Sequence, residues 1–395
     1  MSSKRQILLF FAAVLALSAG GGLNDAIFNN FLSDTFEISA DARGWLELPR
    51  EAPGFLVVVM AGVLAALPVT RLGVVGGVTL AIGLTGLALF GKHWTPAVVM
   101  MVLGSAGLHL IQPVSASLAI GLGDVMTRGK RMGQMSAIGN LGTILGSGFV
   151  WLFFSRTAPQ YRLGFLCAAI LASVSAIVFG RMNVPHLHQP RARFVFKRKF
   201  WLYYLLELFF GARKQVFITF GPWVLIKVYG QPAPAIAGLL MTSAIIGIAF
   251  KPLVGMAIDR FGERAVLVTD ALALVFVCAG YGYAAALMGG DIDKARPLAC
   301  ACFILDDLLF SLGSARSVYA SRLASDPQEL TSTLSLGVSV NHAVSMTIPA
   351  VAGAIWVGFG YQRVFAGAAV LALFISVLAS FVPARSSRQQ AVGSR

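Results

Sequence analysis

Residues 72–91 and 228–250 contain neither an acid nor a base. A run of about 20 apolar residues can cross the hydrocarbon core of a bilayer, and within lipid only a helix or a closed barrel satisfies every backbone hydrogen bond. Similar runs recur along the whole chain, with cores at 7–32, 45–70, 73–91, 95–122, 132–155, 162–181, 200–226, 233–257, 264–288, 297–321, 330–356 and 362–382. Their number predicts an all-α integral membrane protein of about twelve transmembrane helices. Only 12% of the 395 residues are charged, roughly half the share of a soluble domain. Too little polar surface remains to coat the outside, which therefore faces lipid. Lys4 and Arg5 followed by an apolar run ending in Ala16-Leu-Ser-Ala19 have the form of a cleavable leader. Apolar spans continue to the C-terminus, so residues 6–30 read as a retained first helix.

The net charge of +14 would suit a polyanionic partner if it were gathered on one soluble face. Here the cations are scattered through short loops between apolar runs, a pattern that excludes nucleic acid. With both termini on one side, 18 Lys and Arg fall in loops on that side and 8 on the other. The positive-inside rule then places both termini in the cytoplasm of a multi-pass inner-membrane protein. The longest basic loop, 183–199, lies at mid-chain. It reads as a cytoplasmic linker joining two six-helix halves, 1–182 and 200–395, with His186 and His188 solvated rather than metal-bound. All four cysteines sit in apolar segments, as small packing residues do. No disulfide, metal site or cofactor is expected.

Span eight runs into Gly255-Met-Ala-Ile-Asp259-Arg260-Phe-Gly262-Glu-Arg264. This resembles G-x-x-x-D-R-x-G-R-R, which Major Facilitator Superfamily transporters place between the second and third helices of each half. Gly255 would let helices approach closely, Gly262 would permit a tight turn, and Asp259 would pair with cations or cap a helix. The first half offers a degenerate copy, Ala66-Leu-Pro-Val-Thr70-Arg71-Leu-Gly73, in which Thr70 replaces the acid. Span five carries Gly139, Gly142, Gly146 and Gly148. They are similar to the family's antiporter motif without its proline, and their small-xxx-small spacing better suits close helix packing. The resemblance implies two six-helix bundles, a central cavity and alternating access.

In that superfamily the first and fourth helices of each half line the cavity. Those spans here hold Asn24, Asp25, Asn29 and Asn30; His109 and Gln112; Glu207, Arg213, Lys214 and Gln215; and Asp306, Asp307 and Arg316. Charges within a span are costly and usually face a cavity or a partner. Gly20-Gly-Gly-Leu-Asn24-Asp25 resembles first-helix segments of proton-coupled sugar transporters. Asp25 is therefore either a desolvated proton carrier or a structural acid bonded to neighbouring amides, and His109 is a second titratable candidate. Glu47, Arg50 and Glu51 share one helical face, as an ion-pair cluster or as a gate. A cation of span seven is expected to neutralise an aspartate of span ten, leaving another charge for substrate. Lys251, Asn341 and His342 would complete that site, while Arg71, Gly73, Gly255, Asp259, Arg260 and Gly262 would serve conformational change.

This mixture of charges favours a small polar or anionic solute moved by a monomeric, proton-coupled secondary transporter in the bilayer. The span-five glycines support an alternative, proton-antiporting efflux of hydrophobic drugs or lipids. No P-loop binds ATP, and no H-E-x-x-H or G-x-S-x-G suggests an enzyme.

Overall fold

The computed structural model describes residues 3–56, 67–122, 128–184 and 196–384. They form α1 Ser3–Phe36, α2 Ala40–Trp45, α3 Glu47–Phe55, α4 Val69–Phe90, α5 Trp94–Gly121, α6 Arg128–Phe153 and α7 Tyr161–Arg181. The chain continues as α8 Trp201–Lys227, α9 Ala233–Leu287, α10 Ile292–Leu309, α11 Ser314–Leu323, α12 Pro327–Phe359 and α13 Tyr361–Ser380. Short 3₁₀ turns cover Arg198–Phe200 and Phe310–Gly313, the second interrupting span ten between α10 and α11. No strand occurs among the described residues.

Nine helical stretches among the described residues are long and apolar enough to cross a membrane. One of them, α9, is two spans joined at Gly262, whose φ of 80° and ψ of 166° are not helical. A side chain is strained at that φ, so glycine makes the break possible. Span seven, α8, is not among the nine; Glu207, Arg213 and Lys214 interrupt it. Span two begins as α2 and α3, and its expected continuation through 57–66, with Ala66 of the degenerate motif, lies outside the described residues. So do 185–195, most of the basic linker. Pro68 caps the start of α4, which puts Thr70, Arg71 and Gly73 inside its opening turns.

Compact packing divides the chain into two units. The first comprises Met1–Ile38, Pro49–Arg191 and Gly230–Ile248. There α1 packs on α6 and α7, and α4 packs on α5 and α7. The α1–α6 contact depends on small residues: a Cβ on Gly146 would collide with the Ala19 carbonyl oxygen, and one on Gly142 would lie 2.6 Å from Ser18 Cβ. Such small-residue seams replace the hydrophobic drive that lipid removes. Gly142 and Gly146 of span five are thus packing residues in this unit, whereas Gly139 and Gly148 meet only ordinary contacts at 3.6 Å.

The second unit comprises Ser39–Leu48, Ala192–Tyr229 and Ala249–Arg395. In it α8 packs on α10, α11, α12 and α13, and α12 also packs on α2. A Cβ on Gly211 would lie 2.7 Å from the Asn341 carbonyl oxygen, so α8 and α12 run close together. A core of Leu202, Tyr203, Leu206, Ile258, Leu312 and Tyr319 lies beneath them.

Candidate functional site

Glu207, Phe210 and Arg213 recur every three residues along α8 and so form one stripe. In the second unit this stripe meets acids and bases from three other elements. Arg213 is only 1% exposed. Its Nη2 lies 3.4 Å from Asp306 Oδ1 on α10 and 3.5 Å from Asp270 Oδ1 on α9. Nearly two turns earlier on α8, Glu207 Oε1 accepts from Arg316 Nε of α11 at 2.8 Å. Asn341 Nδ2 of α12 donates to Glu207 Oε2 at 3.3 Å. Phe210 lies between the two pairs, its ring 3.3 Å from the Arg316 guanidinium and 5.5 Å from that of Arg213. Cations over an aromatic face gain from its quadrupole, most where water is excluded.

The cluster is incompletely satisfied. Arg213 Nε and Nη1, Asp270 Oδ1 and Gln215 Oε1 are buried without a hydrogen-bond partner among the described residues. A buried polar group in this state costs about 1–3 kcal/mol, more if charged, so unmet donors mark a place for a ligand or water.

Glu47 is fully buried, held by Arg43 one turn earlier and by Gln215 Nε2 at 2.8 Å. The expected grouping of Glu47, Arg50 and Glu51 divides between the units. Glu47 belongs to the second, whereas Arg50 and Glu51 belong to the first and pair there at 3.2 Å. Leu46, a turn residue, separates α2 from α3, and Arg43, absent from the expected cluster, is the nearer partner. A Cβ on Gly44 would strike the Pro349 carbonyl, so α2 lies tightly on α12.

In the first unit Asp25 is exposed and accepts from Asn24 Nδ2 at 3.2 Å. The bond to a neighbouring amide, one of the two expectations for this acid, is present. Asn29 and His109 are buried and Gln112 is exposed. His109 Nδ1 lies 2.9 Å from the Ser105 carbonyl oxygen, to which it donates, and the Ser105 hydroxyl donates to the Arg50 carbonyl. Asn30 Nδ2 donates to the Gln231 carbonyl at 2.9 Å. In the second unit His342 is buried, Lys214 half-buried, and Asp307 and Lys251 exposed.

The motif after span eight differs from expectation. Gly255 is exposed and a Cβ there would touch nothing within 4 Å, so it mediates no close approach. Asp259 and Arg260 are exposed, with Arg260 over the Phe261 ring at 5.3 Å. The buried member is Glu263, paired with Arg322 Nε at 2.7 Å. It is an acid at a position where the motif has a base, and that departure was the signal available in the sequence. In the first-half copy Arg71 is exposed, while Gly73 is buried where a Cβ would lie 2.8 Å from the Phe179 ring. Asp270 was missed because it lies in span nine, outside the cavity-lining helices that the resemblance implied.

Outside the spans, Lys197 and Lys199 each reach Glu329 at 2.7 Å. The Glu329 carboxylate holds the Lys197 ammonium above its usual range. At the opposite helix ends, the Lys294 amide and ammonium hold Asp291 below the usual carboxylate range.

Apolar helical spans with ion pairs buried between them define a multi-pass membrane protein. The sequence matches the Major Facilitator Superfamily over residues 8–321, and the chain belongs to that family. No curated protein matches it. Among solved structures it is similar to the nucleoside transporter NupG, at 15% identity and a TM-score of 0.72, covering 95% of this chain and 97% of that one. A D-xylose–proton symporter gives 14% identity and 0.73, covering 97% and 99%. The human organic anion transporter MFSD10 gives 13% and 0.68, covering 96% and 100%. At these identities the likeness concerns the fold alone.

Proposed function

We propose that this chain is a proton-coupled secondary transporter that moves a small polar or anionic solute by alternating access. The observation that carries the reading is the buried cluster on α8. Glu207, Asp270 and Asp306 bring three carboxylates against two guanidinium groups, Arg213 and Arg316. Fully ionised, these five groups sum to one negative charge among membrane helices, which is costly. Neutrality requires one proton shared among the three acids, and a site that holds one proton can also release it. The unmet N–H groups of Arg213 and the free acceptor of Gln215 supply contacts for a solute bearing carboxylate, phosphate or hydroxyl groups. Lys214, Asp307, Asn341 and His342 supply further polar contacts in the second unit in this reading, and Asn24, Asn29 and Gln112 are the polar candidates of the first. Asp25 and His109 are the first-half proton candidates. The distribution of Lys and Arg supports an inner-membrane protein with both termini cytoplasmic.

The test is transport by purified protein in liposomes, with nucleosides, pentoses and small organic anions as the panel. One of these should accumulate under an imposed pH gradient. Asp306→Asn should abolish that accumulation while leaving solute exchange intact, and Asp25→Asn should reduce it less. Accumulation that ignores the pH gradient would sink the proton coupling. Accumulation lost only in Asp25→Asn would move the carrier to the first half.

A further inference from the structure

The outer face of the first unit carries a groove of about 580 Å³ along α4 and α7. Val78, Ile82, Gly86, Ala176 and Gly180 line it, and Ser173, its polar neighbour, spends its hydroxyl on the Ala169 carbonyl within its own helix. From Val74 to Phe90 the groove follows α4 for roughly 24 Å at 1.5 Å per residue, most of a bilayer's hydrocarbon thickness. Thr85 is the other polar residue of the lining; the rest of the walls offer an occupant apolar contact along a long path.

The two ends differ in charge. Gly73 of α4 packs on Phe179 of α7, so the start of α4 and the end of α7 lie together. Gln6 Oε1 accepts from the Asn183 amide at 2.9 Å, which brings the start of α1 to the same end. Exposed Lys4, Arg5, Arg71 and Arg181 therefore gather there. No acid occurs on α4, α5 or α7, nor on α1 before Asp25. Among the described residues, those helices bring no carboxylate to these four cations. At the far end Lys92 follows α4, but Phe36 packs on Trp94 at 5.1 Å and brings Asp34 and Glu37 with it.

We propose that this groove binds one anionic phospholipid, its headgroup phosphate on Arg71 and Arg181 and an acyl chain along Val78–Gly86. Charge fixes the direction of the lipid and the apolar channel fixes its position, so it is held more tightly than the surrounding bilayer. Near an anionic membrane surface each Lys or Arg contributes about 1 kcal/mol. The two arginines together therefore give roughly thirtyfold in affinity.

The experiment is native mass spectrometry of the full chain released from vesicles of phosphatidylcholine with a minor share of phosphatidylglycerol. The wild type should retain one phosphatidylglycerol in preference to phosphatidylcholine. Arg71→Gln with Arg181→Gln should weaken that retention roughly thirtyfold. Val78→Trp, which fills the groove and leaves the charges, should also lose the lipid, and Lys92→Gln at the far end should keep it. Equal retention by all four proteins would overturn the site, as would a loss in Lys92→Gln matching the double variant. If the arginine variant misfolds, Val78→Trp decides alone: retention of phosphatidylglycerol by that variant overturns the proposal.

Discussion

Both units pack helices closely through glycine, at Gly146 in the first and Gly211 in the second, and they differ in the charge laid across those seams. The first brings α1 against α6 through positions where only glycine fits, and α4, α5 and α7 carry no acid. The second ties α8 to α9, α10, α11 and α12 through carboxylates, guanidinium groups and an amide. A glycine seam gains from contact at every point and has one good arrangement. An ion-paired seam can exchange partners or a proton, so its alternatives differ by less. The first unit's seam thus rests on backbone contact, and the second adds charge to such contact.

The largest effect should come from unpairing the second unit. Arg213→Gln leaves Asp270 and Asp306 facing each other, and loss of one partner of a buried pair costs about 3–5 kcal/mol. Thermal unfolding in detergent should show that loss, and Asp306→Asn added to Arg213→Gln should restore part of it. If Arg213→Gln is as stable as the wild type and only solute affinity falls, Arg213 serves the substrate and the seam is not ion-paired.

Gly146→Val in the first unit should cost about 1–3 kcal/mol by overpacking, with α1 pushed off α6. The same thermal measurement applies. Tolerance of valine would show that the first unit is as adaptable as the second.

A smaller effect belongs to Lys197, whose partly exposed ammonium meets Glu329. Its range is raised, so the stability it contributes is fully present at neutral pH and is lost as pH rises through the lysine range. The gap in unfolding temperature between wild type and Lys197→Met should stay constant from about pH 6 to 9 and close above that. A gap that widens with alkalinity would contradict the pairing.

The smallest effect is expected at Gly255→Ala. Nothing meets the added Cβ, and alanine suits a helix better than glycine by about 1 kcal/mol. Stability should be unchanged or slightly higher. A large loss of transport with intact stability would reveal that Gly255 packs closely in another state of the cycle.

Most of the architecture was legible because lipid imposes length and apolarity on every span, and the runs at 73–91 or 162–181 admit no other reading. The glycine break at Gly262 was legible for the same local reason. Partner choice was not. Arg213 could be seen to need an acid, but that Asp270 shares it with Asp306 depends on how α9 lies against α8, and no periodicity in either helix encodes that. Glu47 and Arg50 lie at helical spacing, yet Leu46 turns the chain and gives Glu47 to Arg43 and Gln215. At Asp25 the sequence left a proton carrier and an amide-bonded structural acid equally open, because the choice depends on surroundings that no local pattern encodes.

The 3₁₀ turn at Phe310–Gly313 has a consequence for winding. In an unbroken α-helix, Asp306 and Arg316 would stand about 280° apart around the axis. Four residues wound at three per turn add about 80° and close the circle, so both side chains address α8 from one line. Each ion pair of span ten thus depends on the pitch of a segment that contains neither partner. Should those four residues relax to α-helical pitch, Arg316 would swing by about 80° away from Glu207 while Asp306 stayed in place. The pitch of this turn therefore sets how one charge pair faces relative to the other.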